Sequence, residues 1–365
     1  MRVATVEVIH VRATLATPAG PAGVFNKHRE SLLLKVTADD GTVGWGETYA
    51  LPGTRQILTC LAEGLVGAPL AGAWPRPPGL DEVGASLAIG AIDIAWHDLL
   101  GRWLGVPVHT LLGGARRTRV PVYASGFLYR EGRGVEEVWF DEAQEALGQG
   151  FRAMKVRIGA GDPEKEMAAF ARLRSQLPAD VRLMVDAWGA YSVPTALRVG
   201  RQLAELGVAW FEEPTRSSLD GLAGRVDLPV AGGEMGRGPE EFRYLLDRRV
   251  LDVVQPDVSI CGGLGTVAFV AQLAALYGVA CVPHTWNGAV MAAATLHVLA
   301  ALPAVTRTGD TDGSPPLEYD TSENPFMREV LVDRPSIVDG HMTVPDTPGL
   351  GIELDEAALR RFAIE

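Results

Sequence analysis

From Val120 onward the chain repeats one pattern, a short apolar run rich in β-branched residues followed by a longer stretch with apolar positions at helical spacing. The runs PVYASGF, FRAMKVRI, VRLMVDA, GVAWFEE, LPVAGGE, LDVVQPD and GVACVPH are strand candidates. PEKEMAAFARLRSQL and VPTALRVGRQLAELG, which lie between them, carry the period of amphipathic helices. Strands alternating with helices predict a parallel sheet, because a parallel return needs a helix-length crossover. Seven such units are expected to close into a barrel. An open doubly wound sheet is the alternative, but polar residues gather at the C-terminal ends of five or more of the runs, where a barrel carries its chemistry.

Before residue 116 the pattern differs. VATVEVIHVRATL and SLLLKVTADDGTVGWGET read as extended, and Asp40-Gly41 between two apolar runs predicts a hairpin. Ala16 to Glu30 reads as a loop, and AWPRPPG within Ala71 to Leu80 excludes regular structure. SLAIGAIDIAWHDLLGRWLG predicts a helix stopped by Gly105 and Pro107. The expected organisation is an α+β unit over 1–115, the barrel over 116–320, and a segment over 321–365 that returns to the first unit.

Composition narrows the functional classes. A 365-residue chain with 47% hydrophobic residues can bury a large core. A formal charge of −12 with no Lys/Arg run argues against nucleic acid as a partner. No apolar stretch has the length of a membrane span and no export pattern opens the chain, so a cytoplasmic location is expected. Cys60, Cys261 and Cys281, odd in number and far apart, suit reduced thiols. GGLG at 262–265 lacks the spacing of a dinucleotide site and reads as a tight loop.

The chemistry sits at the strand ends. Asp186, Glu212 and Glu234 each close an apolar run, at intervals of roughly one β/α unit, about 25 residues. Three carboxylates brought to one rim, without histidine or thiolate, suit a hard divalent cation such as Mg²⁺ better than zinc. Lys155 and Arg157, two residues apart on one strand, share a face. Asp257 and His284 end two further runs, and a carboxylate beside His284 would fix its tautomer and raise its basicity. Glu318 follows them.

This ordered set, with AIDIAWHDLLGRWLGVPVHTLLGG over 91–114 and PDTPGLGIEL near the end, resembles the enolase superfamily and specifically its mandelate racemase branch. Within the branch, VPHTWNGA, LEYDTSENPF and PDTPGLGIE are most similar to the sugar-acid lactone cycloisomerases and sugar-acid dehydratases. The resemblance implies an α/β fold: a modified TIM barrel, (β/α)7β, under an α+β capping domain made from both chain ends. It implies one Mg²⁺ per subunit on Asp186, Glu212 and Glu234, abstraction of the proton α to the carboxylate of a small-molecule substrate, and a homo-oligomer, dimer to octamer. Lys155 would contact the substrate carboxylate, Asp257 and His284 would act as a dyad, and Glu318 would touch substrate or intermediate. Glu213 is left outside the ligand set. By analogy with the capping loops, Lys27, His28 and Arg29 and the segment Tyr49 to Arg55 would line the pocket. Trp188, where relatives often have asparagine, would narrow it.

Arg157 stands where racemase relatives carry a second lysine. Removing its proton near neutrality would cost on the order of 7 to 9 kcal/mol at about 1.4 per pKa unit, so it is expected to stabilise an anion. With His284 the one obvious base, β-elimination from a polyhydroxy acid or its lactone is the leading expectation. A racemase or epimerase using Lys155 as a second base is the alternative. A non-catalytic metal-binding barrel is less favoured, since binding alone needs no Asp257–His284 pair.

Overall fold

The structure is a computed structural model that describes residues 1–75, 85–217, 219–304 and 313–364. Three antiparallel strands, β1 (Val3–Gly20), β2 (Asn26–Ala38) and β3 (Val43–Thr48), open the chain, and α1 (Thr54–Glu63), α2 (Ser86–Leu104) and α3 (Val108–Leu111) follow. The predicted helix is α2, ended by Gly105 at φ 70°, a left-handed position that costs glycine little. Asp40-Gly41 turns β2 into β3 as expected. Ala16 to Glu30 is not a loop. β1 and β2 stay paired past a register shift out to Ala19 opposite Asn26, so this segment forms the two arms of a long hairpin. Its glycines and prolines suggested a loop, but only residues 21–25 lie outside the two strands, beginning with a 3-10 turn at Pro21–Gly23.

Six more parallel strands follow β4 (Arg119–Ser125) and the short β5 (Tyr129–Arg130): β6 (Ala153–Arg157), β7 (Arg182–Asp186), β8 (Phe211–Glu212), β9 (Val230–Gly232), β10 (Val253–Val254) and β11 (Ala280–Cys281). β12 (Leu317–Asp320) pairs parallel with β4, which gives the order β12-β4-β6-β7-β8-β9-β10-β11. Between the strands run α4 (Val135–Gly148), α5 (Pro163–Gln176), α6 (Val193–Glu205), α7 (Gly238–Asp247), α8 (Leu264–Tyr277) and α9 (Ala289–Ala301). The repeat of strand then helix fails once: among the described residues only a 3-10 turn at Leu219–Gly221 lies between β8 and β9. The connection is short and holds Pro214, Gly221 and Gly224, which leaves no room for an amphipathic helix.

Tyr123, Met184, Trp210, Ala231, Val253, Ala280 and Val282 form a buried cluster drawn from strands across the whole sheet, as the interior filling of a barrel is. The edge strands β11 and β12 approach where Thr285 N donates to the Glu318 carboxylate at 3.2 Å. In the tail, β13 (Ile337–Val338) and β14 (His341–Thr343) form a hairpin on β4. After α10 (Glu356–Phe362), β15 (Ala363–Ile364) pairs with β1.

Buried groups clamp the cap to the barrel. Glu47, on β3, accepts from Ser31 Oγ at 2.8 Å and from Met291 N at 2.9 Å, in the first turn of α9. Burial pushes its carboxyl up to about 7 against these bonds. The approach requires Gly288, where a Cβ would lie 2.3 Å from Glu47 Oε1. Glu47→Ala strips that helix of its acceptor and empties a packed site, and a loss of about 2 to 3 kcal/mol is expected. Urea denaturation of both proteins checks it. Glu47→Gln keeps an acceptor and should lose far less.

Candidate functional site

β-Sheet register places Arg157, Asp186 and Glu212 side by side at the ends of β6, β7 and β8. Glu234 lies two residues beyond β9. Within the barrel mouth these acids meet cations. Lys155, fully buried, donates to Glu212 Oε1 and lies 2.7 Å from Glu318 Oε1 and 3.9 Å from Asp186 Oδ2. Arg157 donates to Asp186 Oδ2 and reaches Ser125 Oγ at 3.3 Å. Ser125 Oγ in turn donates to Glu318 Oε1 at 2.6 Å. Glu318, expected to touch substrate or intermediate, thus sits on the eighth strand between the two cations.

Glu212 is oriented from both sides of its strand. Trp210 Nε1 and Gln255 Nε2 donate to its Oε2 at 3.1 and 2.7 Å, which leaves Oε1 to Lys155. Burial pushes Glu212 up to about 7 against the pull of Lys155, with Asp186 and Glu318 adding to the push. Glu234 is also raised, by burial and by Asp186, against His284. Burial would drive Lys155 and Arg157 the other way, but the surrounding carboxylates outweigh it and hold both firmly protonated. Glu318 is held down to about 2 by Lys155, His284 and Arg157 despite its burial.

The predicted pair is formed. His284 Nδ1 donates to Asp257 Oδ2 at 2.8 Å, which directs Nε2 toward Glu234 Oε2, 3.3 Å away. Asp257 Oδ1 accepts from the backbone N–H groups of Ser259 and Ile260 at 2.8 and 3.0 Å. Burial lowers the His284 pKa, but Glu234, Glu318 and Asp257 prevail and raise it to about 10.

A chamber of about 620 Å³ lies over these groups, lined among others by Tyr49, Arg157, Trp188, Glu234, His284 and Trp286. Trp188 has φ 46° and donates its N–H to Asp186 Oδ1 at 2.7 Å. Its ring carries the Arg216 guanidinium at 4.7 Å and forms a wall of both this chamber and a neighbouring cavity of about 800 Å³. Glu213 also leaves the strand conformation, at φ 39°, and accepts from Gly233 N at 2.8 Å on the side of the second cavity.

The cap residues divide. Arg29 pairs with Asp320 and lies over Trp286 at 4.6 Å, while Arg157 lies over the same ring at 4.7 Å. None of Lys27, His28 and Arg29 is among the residues lining the chamber: Arg29 borders a separate small cavity with Trp286, and Lys27 and His28 are exposed on the hairpin arm. The nearest link of His28 is to Thr14, its cross-strand partner, because alternation along β2 sends it away from the side that Arg29 faces. Tyr49 and Leu51, from the segment expected to line the pocket, do so. Trp286, Gln255 and Ser125 were not singled out from sequence. Gln255 could have been, since it ends an apolar run two residues before Asp257.

Among the described residues, no three His, Cys, Asp or Glu side chains are arranged as a metal cage. The carboxylates meet at the level of the strand ends, while their oxygens are drawn to Lys155, Arg157 and His284. In chemistry the donor set nevertheless fits a hard cation. Asp186, Glu212 and Glu234 are buried oxygen donors, and the last two are pushed up by burial and by the nearby Asp186.

Known proteins are similar to this chain over its whole length. Residues 3–113 match the model for the mandelate racemase/muconate lactonizing enzyme N-terminal domain, and residues 139–358 match the enolase C-terminal domain-like model. The D-galactarolactone cycloisomerase of Agrobacterium fabrum is 36% identical over 99% of both chains. The crystal structure of the 3,6-anhydro-D-galactonate cycloisomerase from Zobellia galactanivorans superposes with a TM-score of 0.87 at 30% identity, covering 100% of both chains. A racemase from Streptomyces coelicolor A3(2) with bound magnesium gives a TM-score of 0.83 at 25% identity, covering 99% of this chain and 100% of the other. The chain belongs to the mandelate racemase/muconate lactonizing enzyme family of the enolase superfamily.

Proposed function

We propose that the protein abstracts the proton α to the carboxylate of a polyhydroxy acid or its lactone and expels the β-oxygen. The observation that carries this reading is the Asp257–His284 pair at 2.8 Å, whose imidazole opens on the chamber that Glu234 and Arg157 also line. A sugar-acid lactone is the first choice of substrate, supported by the cycloisomerase relative at 36% identity. Asp186, Glu212 and Glu234 would hold one Mg²⁺ per subunit, as their donor chemistry and the magnesium-bound neighbour suggest. The ion would stabilise the charge of the enediolate.

His284 Nε2 takes the α-proton, with Asp257 holding the imidazole in the tautomer that leaves Nε2 free. Were Glu234 to hold a cation, its pull on the His284 proton would weaken, which would favour the neutral imidazole that a base requires. Lys155 and Arg157 bind the substrate anion and balance the enediolate. Arg157 Nε is a buried donor with no partner among the described residues and is available for that contact. The α C–H and β C–O bonds then break. A ring oxygen leaving from the β-carbon opens a lactone, and a hydroxyl leaving as water is dehydration. Either way the enol tautomerises to the 2-keto-3-deoxy acid.

Lys155 as a second base, the racemase alternative, is disfavoured by Glu318, a carboxylate outside the set proposed for the cation, which lies 2.7 Å from its ammonium. Arg157→Lys is therefore expected to introduce at most slow epimerisation, which chiral analysis of recovered substrate would detect. A cytoplasmic setting is consistent with the free cysteines Cys60, Cys261 and Cys281. Among the described residues no helix is long and apolar enough to cross a membrane. For the expected homo-oligomer, α8 offers a face without charged residues on which Phe269 and Leu276 are exposed.

The test is a screen of mono- and diacid sugars and their lactones with Mg²⁺ in deuterated solvent, reading the α-proton by NMR. Exchange or elimination on a sugar acid or lactone supports the reading. A protein that binds these acids without moving the α-proton of any of them would not be an enzyme of this kind.

A further inference from the structure

The Asp257–His284 pair has a third member supplied by the cap. Tyr49, one residue past β3, donates its hydroxyl to Asp257 Oδ2 at 2.8 Å, the same oxygen that accepts from His284 Nδ1 at 2.8 Å. Asp257 Oδ1 is filled by two backbone N–H groups. An ionised carboxylate offers about four acceptor sites, and here all four are used. The Tyr49 phenol, whose pKa is raised by burial and by Asp257, stays protonated and is the donor in its bond to the carboxylate. Next to it, Ser259 Oγ donates to Thr48 Oγ1, so the end of β3 holds the loop that carries Asp257 at two points.

We infer that Tyr49 is a positioning residue that completes the Asp257–His284 pair, so that the base is fully oriented only when the capping sheet is seated on the barrel. The inference rests on the proposed role of His284 as the base. Tyr49 shares Oδ2 with the imidazole and therefore limits both the direction and the strength of the bond that Asp257 makes to Nδ1. Without the phenol, Oδ2 would be free to draw the Nδ1 proton closer and to swing toward the chamber. Tyr49 also faces that chamber, so its hydroxyl joins the wall over the substrate to the base beneath it.

Two measurements on Tyr49→Phe, which keeps the ring, test this. The first needs no substrate: the low-field proton NMR resonance of His284 Nδ1–H, assigned by its loss in His284→Asn, is expected to move downfield in Tyr49→Phe. An unmoved resonance overturns the inference whatever the reaction is. The second is α-proton exchange on an accepted sugar acid. A fall of about tenfold or more is expected, the size usual for partners that orient a reactive group, with the dissociation constant of an unreactive acid analogue changed less than twofold. Because Tyr49 acts through Asp257, Tyr49→Phe should cost nothing further in an Asp257→Asn background. Losses that multiply in the double variant would show that Tyr49 works by another route, and the inference would fall. A wild-type protein that exchanges no sugar acid would instead sink the proposed function, and the resonance would still decide the place of Tyr49.

Discussion

His284→Asn is expected to lower turnover by about 10²- to 10⁴-fold, the range ascribed to a positioned general base. Asparagine can still accept or donate near Asp257, but it cannot take a proton. Burial and the Asp257 bond at 2.8 Å hold the imidazole in one tautomer, and no second neutral nitrogen base lines the chamber among the described residues. Loss of α-proton exchange in parallel with turnover is the expected signature. Retained exchange at the parent rate would place the base elsewhere, with Lys155 next in line.

An effect of similar size is expected from Glu234→Gln or from a chelator. The amide keeps the shape of the side chain and removes one of three charges proposed for the cation. If the ion supplies several kcal/mol toward the enediolate, activity falls by about 10²- to 10⁴-fold at 1.4 kcal/mol per factor of ten. Excess Mg²⁺ should restore activity after chelation and restore it poorly in the variant. The fold should survive, because Glu234 lies beyond the end of β9 and, among the described residues, its carboxylate forms an ion pair with His284 alone. Activity unchanged in chelator would remove the metal from the account.

The barrel was legible because the strands are short apolar runs and helices such as α5 and α6 carry an amphipathic period, two signals that survive in a single sequence. Asp186 and Glu212 could be placed at strand ends for the same reason, and His284 and Asp257 follow from the runs that carry them. The failures share a physical cause, dependence on contacts remote in sequence. Ala16 to Glu30 looked like a loop because its Gly and Pro content is local, whereas its pairing with the opposite arm is not. Lys27, His28 and Arg29 were expected at the pocket, yet alternation along β2 turns His28 away from its two neighbours and none of the three lines the chamber. Nor could the sequence tell that Lys155 and Arg157 would draw the carboxylate oxygens to themselves, or that Tyr49 would reach an aspartate 208 residues away. Trp286, flanked by two guanidiniums from different parts of the fold, left no local mark at all.

The central claim is proton abstraction by one base followed by loss of the β-oxygen, and a pair of C2 epimers of an accepted sugar acid tests it most directly. Each is incubated with the protein and Mg²⁺ in deuterated water, and both substrate and product are followed by proton NMR. One epimer is predicted to lose its α-proton and yield the 2-keto-3-deoxy acid, while the other is left unlabelled and unconverted. Efficient interconversion of the two epimers, with deuterium entering from both directions, would show that both faces of the carbon are served and would contradict the one-base account.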